Sequence, residues 1–274
     1  MTLVTRYDAM FARLRAQGEG AFGAFLMLGD PDLATSARLL RAAAEAGADM
    51  LEVGIPFSDP IADGPVIQAA ADRALKAGVT PADCFALIGE FRAAFPAIPV
   101  GVLTYANLVL ARGRAAFYGA SAQVGLDSML VADVPVFEAE PFVEASRAAG
   151  VAPVLIAAPN TPEPVLARIA RLGGGYTYCV ARAGVTGADE RLSLDHGRLF
   201  ESLARLGAPP PVLGFGIARP DHVRAALDAG AAGVISGSAI VARIADHLDD
   251  PSRAVEAVAA FVSEMKAATT GSHR

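Results

Sequence analysis

The chain has 274 residues, a net charge of −6, 53% hydrophobic residues and 19% charged ones, which is enough apolar side chain for one packed domain of barrel size and excludes a disordered chain. The acidic balance, with a pI near 5.3, excludes a track for a nucleic-acid backbone, but phosphorylated metabolites stay open because backbone N–H groups bind anions without net positive charge. The two cysteines, Cys84 and Cys179, fit neither a ligand spacing nor a disulfide framework and read as reduced thiols of a cytoplasmic protein.

Residues 1–17 set Arg6, Asp8, Arg13 and Arg15 among apolar positions, which predicts a surface helix and not the apolar region of a signal peptide. Short runs of β-branched and small apolar residues then recur at 21–29, 50–55, 99–105, 128–133, 152–158, 175–182, 211–216 and 233–237. Between them lie Ala/Leu/Arg-rich helical stretches, ended by glycines such as Gly47, Gly125, Gly150, Gly207 and Gly230, where a left-handed cap needs a residue without Cβ. Eight apolar strands alternating with helices predict an α/β protein, a single (βα)8 TIM barrel with additional helices over 1–268; an open doubly wound sheet is the alternative. A flexible tail is expected at 269–274. No apolar run reaches the roughly 18 residues of a membrane span.

Stretches rich in Pro, Gly and Asp follow the predicted strands at 29–31, 56–65 and 184–190, where a barrel builds its catalytic mouth. Near the chain's end, Gly214-Phe215-Gly216 closes the seventh strand, and Ser236-Gly237-Ser238 closes the eighth and opens a helix. Backbone approach and helix N-terminal N–H groups make this pair a phosphate-site candidate, against the alternative that the glycines only form tight turns. Glu52 lies in the run Met50-Leu51-Glu52-Val53-Gly54-Ile55 with parity opposite to Leu51, Val53 and Ile55. It faces the catalytic mouth as a proton-transfer group or pairs with an inward arginine. Asp63, in Ser58-Asp59-Pro60-Ile61-Ala62-Asp63-Gly64-Pro65, is by itself no more than a turn-forming aspartate. The only lysines, Lys76 and Lys266, and all four histidines, His196, His222, His247 and His273, fall in predicted helices or the tail. Schiff-base and metal-dependent barrel chemistries are therefore disfavoured, and no metal is expected.

The run from Leu51 to Gln68 resembles the signature of tryptophan synthase alpha subunits. The likeness extends through Leu28-Gly29-Asp30-Pro31, Tyr105-Ala106-Asn107, Leu130-Val131-Ala132-Asp133-Val134-Pro135 and Ala158-Pro159-Asn160-Thr161. It continues in Tyr176-Thr177-Tyr178, Arg182-Ala183-Gly184-Val185-Thr186-Gly187, Gly214-Phe215-Gly216-Ile217 and Ser236-Gly237-Ser238. Departures are minor: Thr104, where the family often has a larger apolar residue, and Ala218, where a serine is common.

The resemblance implies a lyase that cleaves indole-3-glycerol phosphate to indole and glyceraldehyde 3-phosphate. Glu52 would be the acid/base at indole C3 and the glycerol hydroxyl, Asp63 the group holding the indole N–H, and Tyr178 a neighbour of the reacting carbon. Phe25, Leu103, Leu130, Ala132, Ile156 and Phe215 would wall the indole pocket. Residues 182–191 would form a mobile lid, with Thr186 reaching Asp63. Gly187, Gly214, Gly216, Gly237 and Ser238 would bind phosphate. The resemblance also implies a beta subunit as partner, in a heterotetramer of two alpha and two beta chains, with pyridoxal phosphate in the beta subunit and no cofactor here. Pro56, Asp59 and the segment near Asn107 would face that partner. A stand-alone lyase releasing free indole and a silent scaffold that only activates a beta subunit are the competing readings.

Overall fold

The computed structural model describes residues 5–180 and 196–271. Its strands are β1 (Ala21–Met27), β2 (Met50–Gly54), β3 (Val100–Thr104), β4 (Ser128–Val131), β5 (Ala152–Pro153), β6 (Leu155–Ala157), β7 (Thr177–Val180), β8 (Pro211–Gly214) and β9 (Gly233–Ser236). The helices are α1 (Arg6–Gln17), α2 (Leu33–Glu45), α3 (Pro65–Lys76), α4 (Pro81–Ala94), α5 (Ala106–Ala111), α6 (Arg114–Gln123), α7 (Glu140–Ala148), α8 (Glu163–Leu172), α9 (Gly197–Arg205), α10 (Pro220–Asp228), α11 (Ser238–Ala245) and α12 (Pro251–Ala267).

All strand pairs are parallel, in the order β5-β4-β3-β2-β1-β9-β8-β7-β6. β5 and β6 are two halves of one extended run broken at Val154. Its first half pairs with β4 and its second with β7, so the run joins both ends of the sheet and closes the barrel. The eight expected strands are therefore present, one of them split. Several end earlier than the apolar runs suggest: β4 stops at Val131, β8 at Gly214 and β9 at Ser236. The residues beyond them form the turns of the barrel mouth. The five glycines expected to end helices, Gly47, Gly125, Gly150, Gly207 and Gly230, all have positive φ, the left-handed conformation that costs other residues steric strain.

Strand parity divides the core in two. Phe22, Ala24, Leu26, Leu51 and Val53 point outward into the layer beneath the helices, while Phe25, Met27, Met50, Leu130, Tyr178 and Val212 fill the barrel interior. The predicted surface helix has a larger role. α1 sends Tyr7, Met10, Phe11 and Leu14 into the interior cluster, and Arg6 binds Asp127 at 2.8 Å, at the start of β4. The helix plugs the N-terminal end of the barrel, which leaves only the opposite end for a ligand. Nor is the chain free directly after α12: Thr269 is fully buried, its carbonyl accepts from Gly20 N–H at 3.2 Å, and Thr270 bridges Glu19.

Thr104 closes β3 with its side chain fully buried and its hydroxyl without a hydrogen-bond partner. A buried, unmatched hydroxyl costs about 1 kcal/mol or more. Thr104→Val keeps the shape and removes that cost, so thermal denaturation should show a gain of about 1 kcal/mol, a few degrees in Tm.

Candidate active site

Glu52 occupies the centre of β2, in register with Phe25 on β1 and Gly101 on β3. Because its parity is that of Met50 and not of Leu51, its carboxylate turns inward, where it is 2% exposed. Of the two sequence alternatives, no inward arginine accompanies it among the described residues. Its partner is Tyr176, from the opposite side of the barrel, whose hydroxyl donates to Oε1 at 2.8 Å. The second oxygen, Oε2, has no hydrogen-bond partner and is free to exchange a proton with a ligand. Burial is the main cause that raises the Glu52 pKa to about 7; the Tyr176 hydrogen bond opposes the rise and the Asp63 charge adds to it. A carboxyl group so placed populates both protonation states near neutrality, the condition for giving and taking one proton within a cycle. Tyr176→Phe should therefore move the Glu52-dependent limb of the kcat pH profile to higher pH, with a severalfold loss at neutral pH, the size of one hydrogen bond. An unmoved limb would mean that the tyrosine does not act on Glu52.

Asp63 sits in the loop between β2 and α3 and is 8% exposed. It is more than a turn former. Its Oδ2 accepts the Tyr105 hydroxyl at 2.8 Å, and its carbonyl accepts from Gln68 Nε2 at 2.7 Å. Tyr105, stacked on Phe57 at 5.3 Å between ring centroids, also receives Ala62 N–H at 3.3 Å. One phenol thus fixes the loop backbone and the carboxylate together. Burial raises the Asp63 pKa and the Tyr105 hydrogen bond opposes the rise.

Around these carboxylates, Phe25, Leu130 and Tyr178 belong to the interior cluster, with Leu103, Ala132, Ile156 and Phe215 packed against it. The tyrosine ring meets Phe215 edge-on at 5.9 Å. The structure thus places the six residues expected to wall the indole pocket in, or packed against, the barrel interior that also holds the inward Glu52. Gly214 ends β8 for a reason the sequence does not display: a Cβ there would lie 2.2 Å from the Tyr178 ring. Its missing side chain is the space the tyrosine occupies, not simply room for an anion. Gly216 has φ +75°, Gly237 precedes α11 and Ser238 is its first residue, so these three line the loops after β8 and β9. Thr186 and Gly187, like the rest of the predicted lid 182–191, lie outside the described residues.

Tyr176 and Tyr105 escape residue-by-residue reading. The available signal for Tyr176 is its two-residue offset from Tyr178, which puts both rings on one strand face. Tyr105 gives no such sign, since its partner lies across a loop. Both lysines are far from reacting atoms: Lys76 ends α3 in an exposed pair with Asp72 at 2.6 Å, and Lys266 on α12 binds Glu19 and Asp49 at 2.9 and 2.8 Å. Among the described residues, no three His, Cys, Asp or Glu side chains cluster as metal ligands, and no helix is long and apolar enough to cross a membrane.

The model of the family "Tryptophan synthase alpha chain" matches residues 11–270. Relatives of that name include one from Escherichia fergusonii, 53% identical over 264 residues, covering 96% of this chain and 98% of the relative. Another, from Shewanella oneidensis, is 51% identical over 265 residues, covering 97% and 95%. Among solved structures, tryptophan synthase subunit alpha from Legionella pneumophila superposes with a TM-score of 0.86 at 27% identity, covering 97% of this chain and 99% of that one. A protein from Aquifex aeolicus superposes with a TM-score of 0.86 at 32% identity, covering 97% and 100%. With a family model that spans the barrel, relatives more than half identical from end to end, and two buried carboxylates at the barrel's open end, the chain belongs to the tryptophan synthase alpha chain family.

Proposed function

We propose that Glu52 and Asp63 divide the work of cleaving indole-3-glycerol phosphate, the lyase reaction of this family. The Glu52 carboxyl delivers its proton to indole C3, which turns the ring into an indolenine-like cation whose nitrogen draws electrons. The carboxylate so formed takes the proton of the hydroxyl on the carbon attached to C3. The C–C bond then breaks: its electron pair restores the indole ring, and the C–O bond becomes the carbonyl of glyceraldehyde 3-phosphate. Asp63 accepts the indole N–H and stabilises the positive charge as it develops. The observation that carries this assignment is the inward Glu52 with its pKa near 7 and one oxygen free. Tyr178 holds the ring against Glu52, and the six apolar wall residues exclude water. Gly216, Gly237 and Ser238 receive the phosphate at the start of α11, where helix geometry leaves the N–H groups of Ser238 and Ala239 without an acceptor one turn back.

The chain needs no prosthetic group of its own. Neither lysine reaches the mouth to bind pyridoxal phosphate as an imine, and that cofactor belongs to the beta subunit. The partner docks over the open end of the barrel, in a cytoplasmic assembly of two alpha and two beta chains. Ile61, Leu110 and Phe137, on segments that follow β2, β3 and β4, are 72%, 47% and 69% exposed, apolar surface that a protein partner would cover. Pro56, Asp59 and Asn107 lie in the first two of these segments. The deciding experiment follows indole release from indole-3-glycerol phosphate by the purified chain, alone and with beta subunit added. Release that rises on addition supports the coupled enzyme; full release without it supports the stand-alone reading. No release in either arm overturns the assignment.

A further inference from the structure

The turn that leaves β8 carries unusual backbone strain. Phe215 has φ +72°, the only described non-glycine residue with positive φ, and Gly216 follows at +75°. A bulky residue in the left-handed region does not hold that conformation by itself, so the surroundings must fix it. Two side chains do so from behind the turn. His222, 8% exposed on α10, approaches the Gly216 carbonyl oxygen with Nδ1 at 2.8 Å. Ser236, fully buried at the end of β9, donates to the next carbonyl, that of Ile217, at 2.6 Å.

Two contacts meet at Nδ1, and one tautomer makes only one of them: the Ala218 N–H points at it from 3.3 Å, while the Gly216 carbonyl, which only accepts, lies closer at 2.8 Å. The shorter contact favours the tautomer with the proton on Nδ1. A peptide is planar and trans, so holding the Gly216 oxygen also sets the plane of the 216–217 peptide and turns its N–H the opposite way. Ser236 holds the following carbonyl, so the turn shows the Gly216 and Ile217 carbonyls and the Ala218 N–H to α10 and β9, and the Ile217 N–H to the other side.

We infer that His222 is a positioning residue for the phosphate end of the site: its Nδ1–H clamps the Gly216 carbonyl and so aims the Ile217 N–H of the strained turn at the substrate phosphate. The inference rests on the proposed phosphate role of this turn. His222 touches no substrate atom, so it governs affinity for the phosphate end and leaves proton transfer at Glu52 alone.

The test is titration of the full chain with glycerol 3-phosphate and with inorganic phosphate, alongside steady-state cleavage of indole-3-glycerol phosphate, for His222→Leu and His222→Asn. The Asn side-chain amide reaches about the place of Nδ1 and keeps the donor; Leu does not. His222→Leu should bind glycerol 3-phosphate about five- to tenfold more weakly, as for one lost hydrogen bond, with a matching rise in KM and kcat within about twofold of wild type. His222→Asn should recover most of the affinity. A variant damaged only in folding would lose kcat and Tm without this split or rescue, which would overturn the inference. So would His222→Leu with wild-type affinity. If His222→Leu does not fold, His222→Ala replaces it under the same criteria. If wild type binds neither probe, the phosphate role of the turn is wrong and the inference falls with it, an outcome distinct from normal binding that the variants leave unchanged.

Discussion

Glu52→Gln should lower cleavage of indole-3-glycerol phosphate by at least about a hundredfold while the barrel stays folded, because the amide keeps the volume and the Tyr176 hydrogen bond but cannot supply or take a proton. The same change should make the protein more stable at alkaline pH. In the folded chain Glu52 ionises only near pH 7, whereas in the unfolded chain it ionises in the ordinary carboxylate range. The stability it contributes is complete below that range and is lost as pH rises through about 7, so above pH 7 the wild type carries the whole cost of a buried charge. That cost is at most about 3 kcal/mol, and glutamine avoids it. Thermal melts should then put the variant several degrees above wild type at pH 8, with the gap closing toward pH 4.5. Near-normal turnover would remove Glu52 from the mechanism; equal melting at pH 8 would show that its carboxyl is not held out of water.

Gly214→Ala tests the other tight element of the site. The new methyl would overlap Tyr178 at 2.2 Å from both Cζ and Oη, a separation that bonded neighbours alone approach, and the backbone of β8 cannot retreat because it is paired with β7 and β9. The ring must tilt away, breaking its edge-on contact with Phe215 and leaving the position proposed for it against the substrate. A fall of at least about tenfold in kcat/KM is expected, with about 1–3 kcal/mol of stability lost to overpacking. A variant with wild-type kcat/KM and Tm would show that the fit between this glycine and the tyrosine carries no function.

Local rules account for what the sequence shows without help. Helix-ending glycines are visible because the left-handed cap is a property of one residue and its neighbours, and all five adopt it. The inward direction of Glu52 follows from the two-residue period of a strand, which needs only Leu51 and Val53 beside it. The break at Val154 escapes the pattern, since residues 152–158 are apolar throughout, and only pairing on both sides decides where the run changes partner. The same holds for α1. Its mixed polarity suits a surface helix, but a helix with one buried face reads alike whether that face covers the outside of a barrel or plugs its end.

The sequence by itself determined the barrel, the inward carboxylate on the second strand, the glycine-rich endings of the last two and, through motifs spread in order along the chain, the family. The tertiary structure decided what those residues become chemically. Glu52 and Tyr176 are 124 positions apart, yet their hydrogen bond is buried across the barrel, and it is enclosure by distant strands that removes water from the carboxyl and carries its pKa to about 7. Asp63 reads as a turn residue until Tyr105, 42 positions on, fixes it at the mouth. Gly214 gives no sign in the sequence of a second reason for being glycine, that Tyr178 fills the space its side chain would take. Each of these properties depends on solvent exclusion and contact between residues far apart in the chain, and neither is written in the residues taken one at a time.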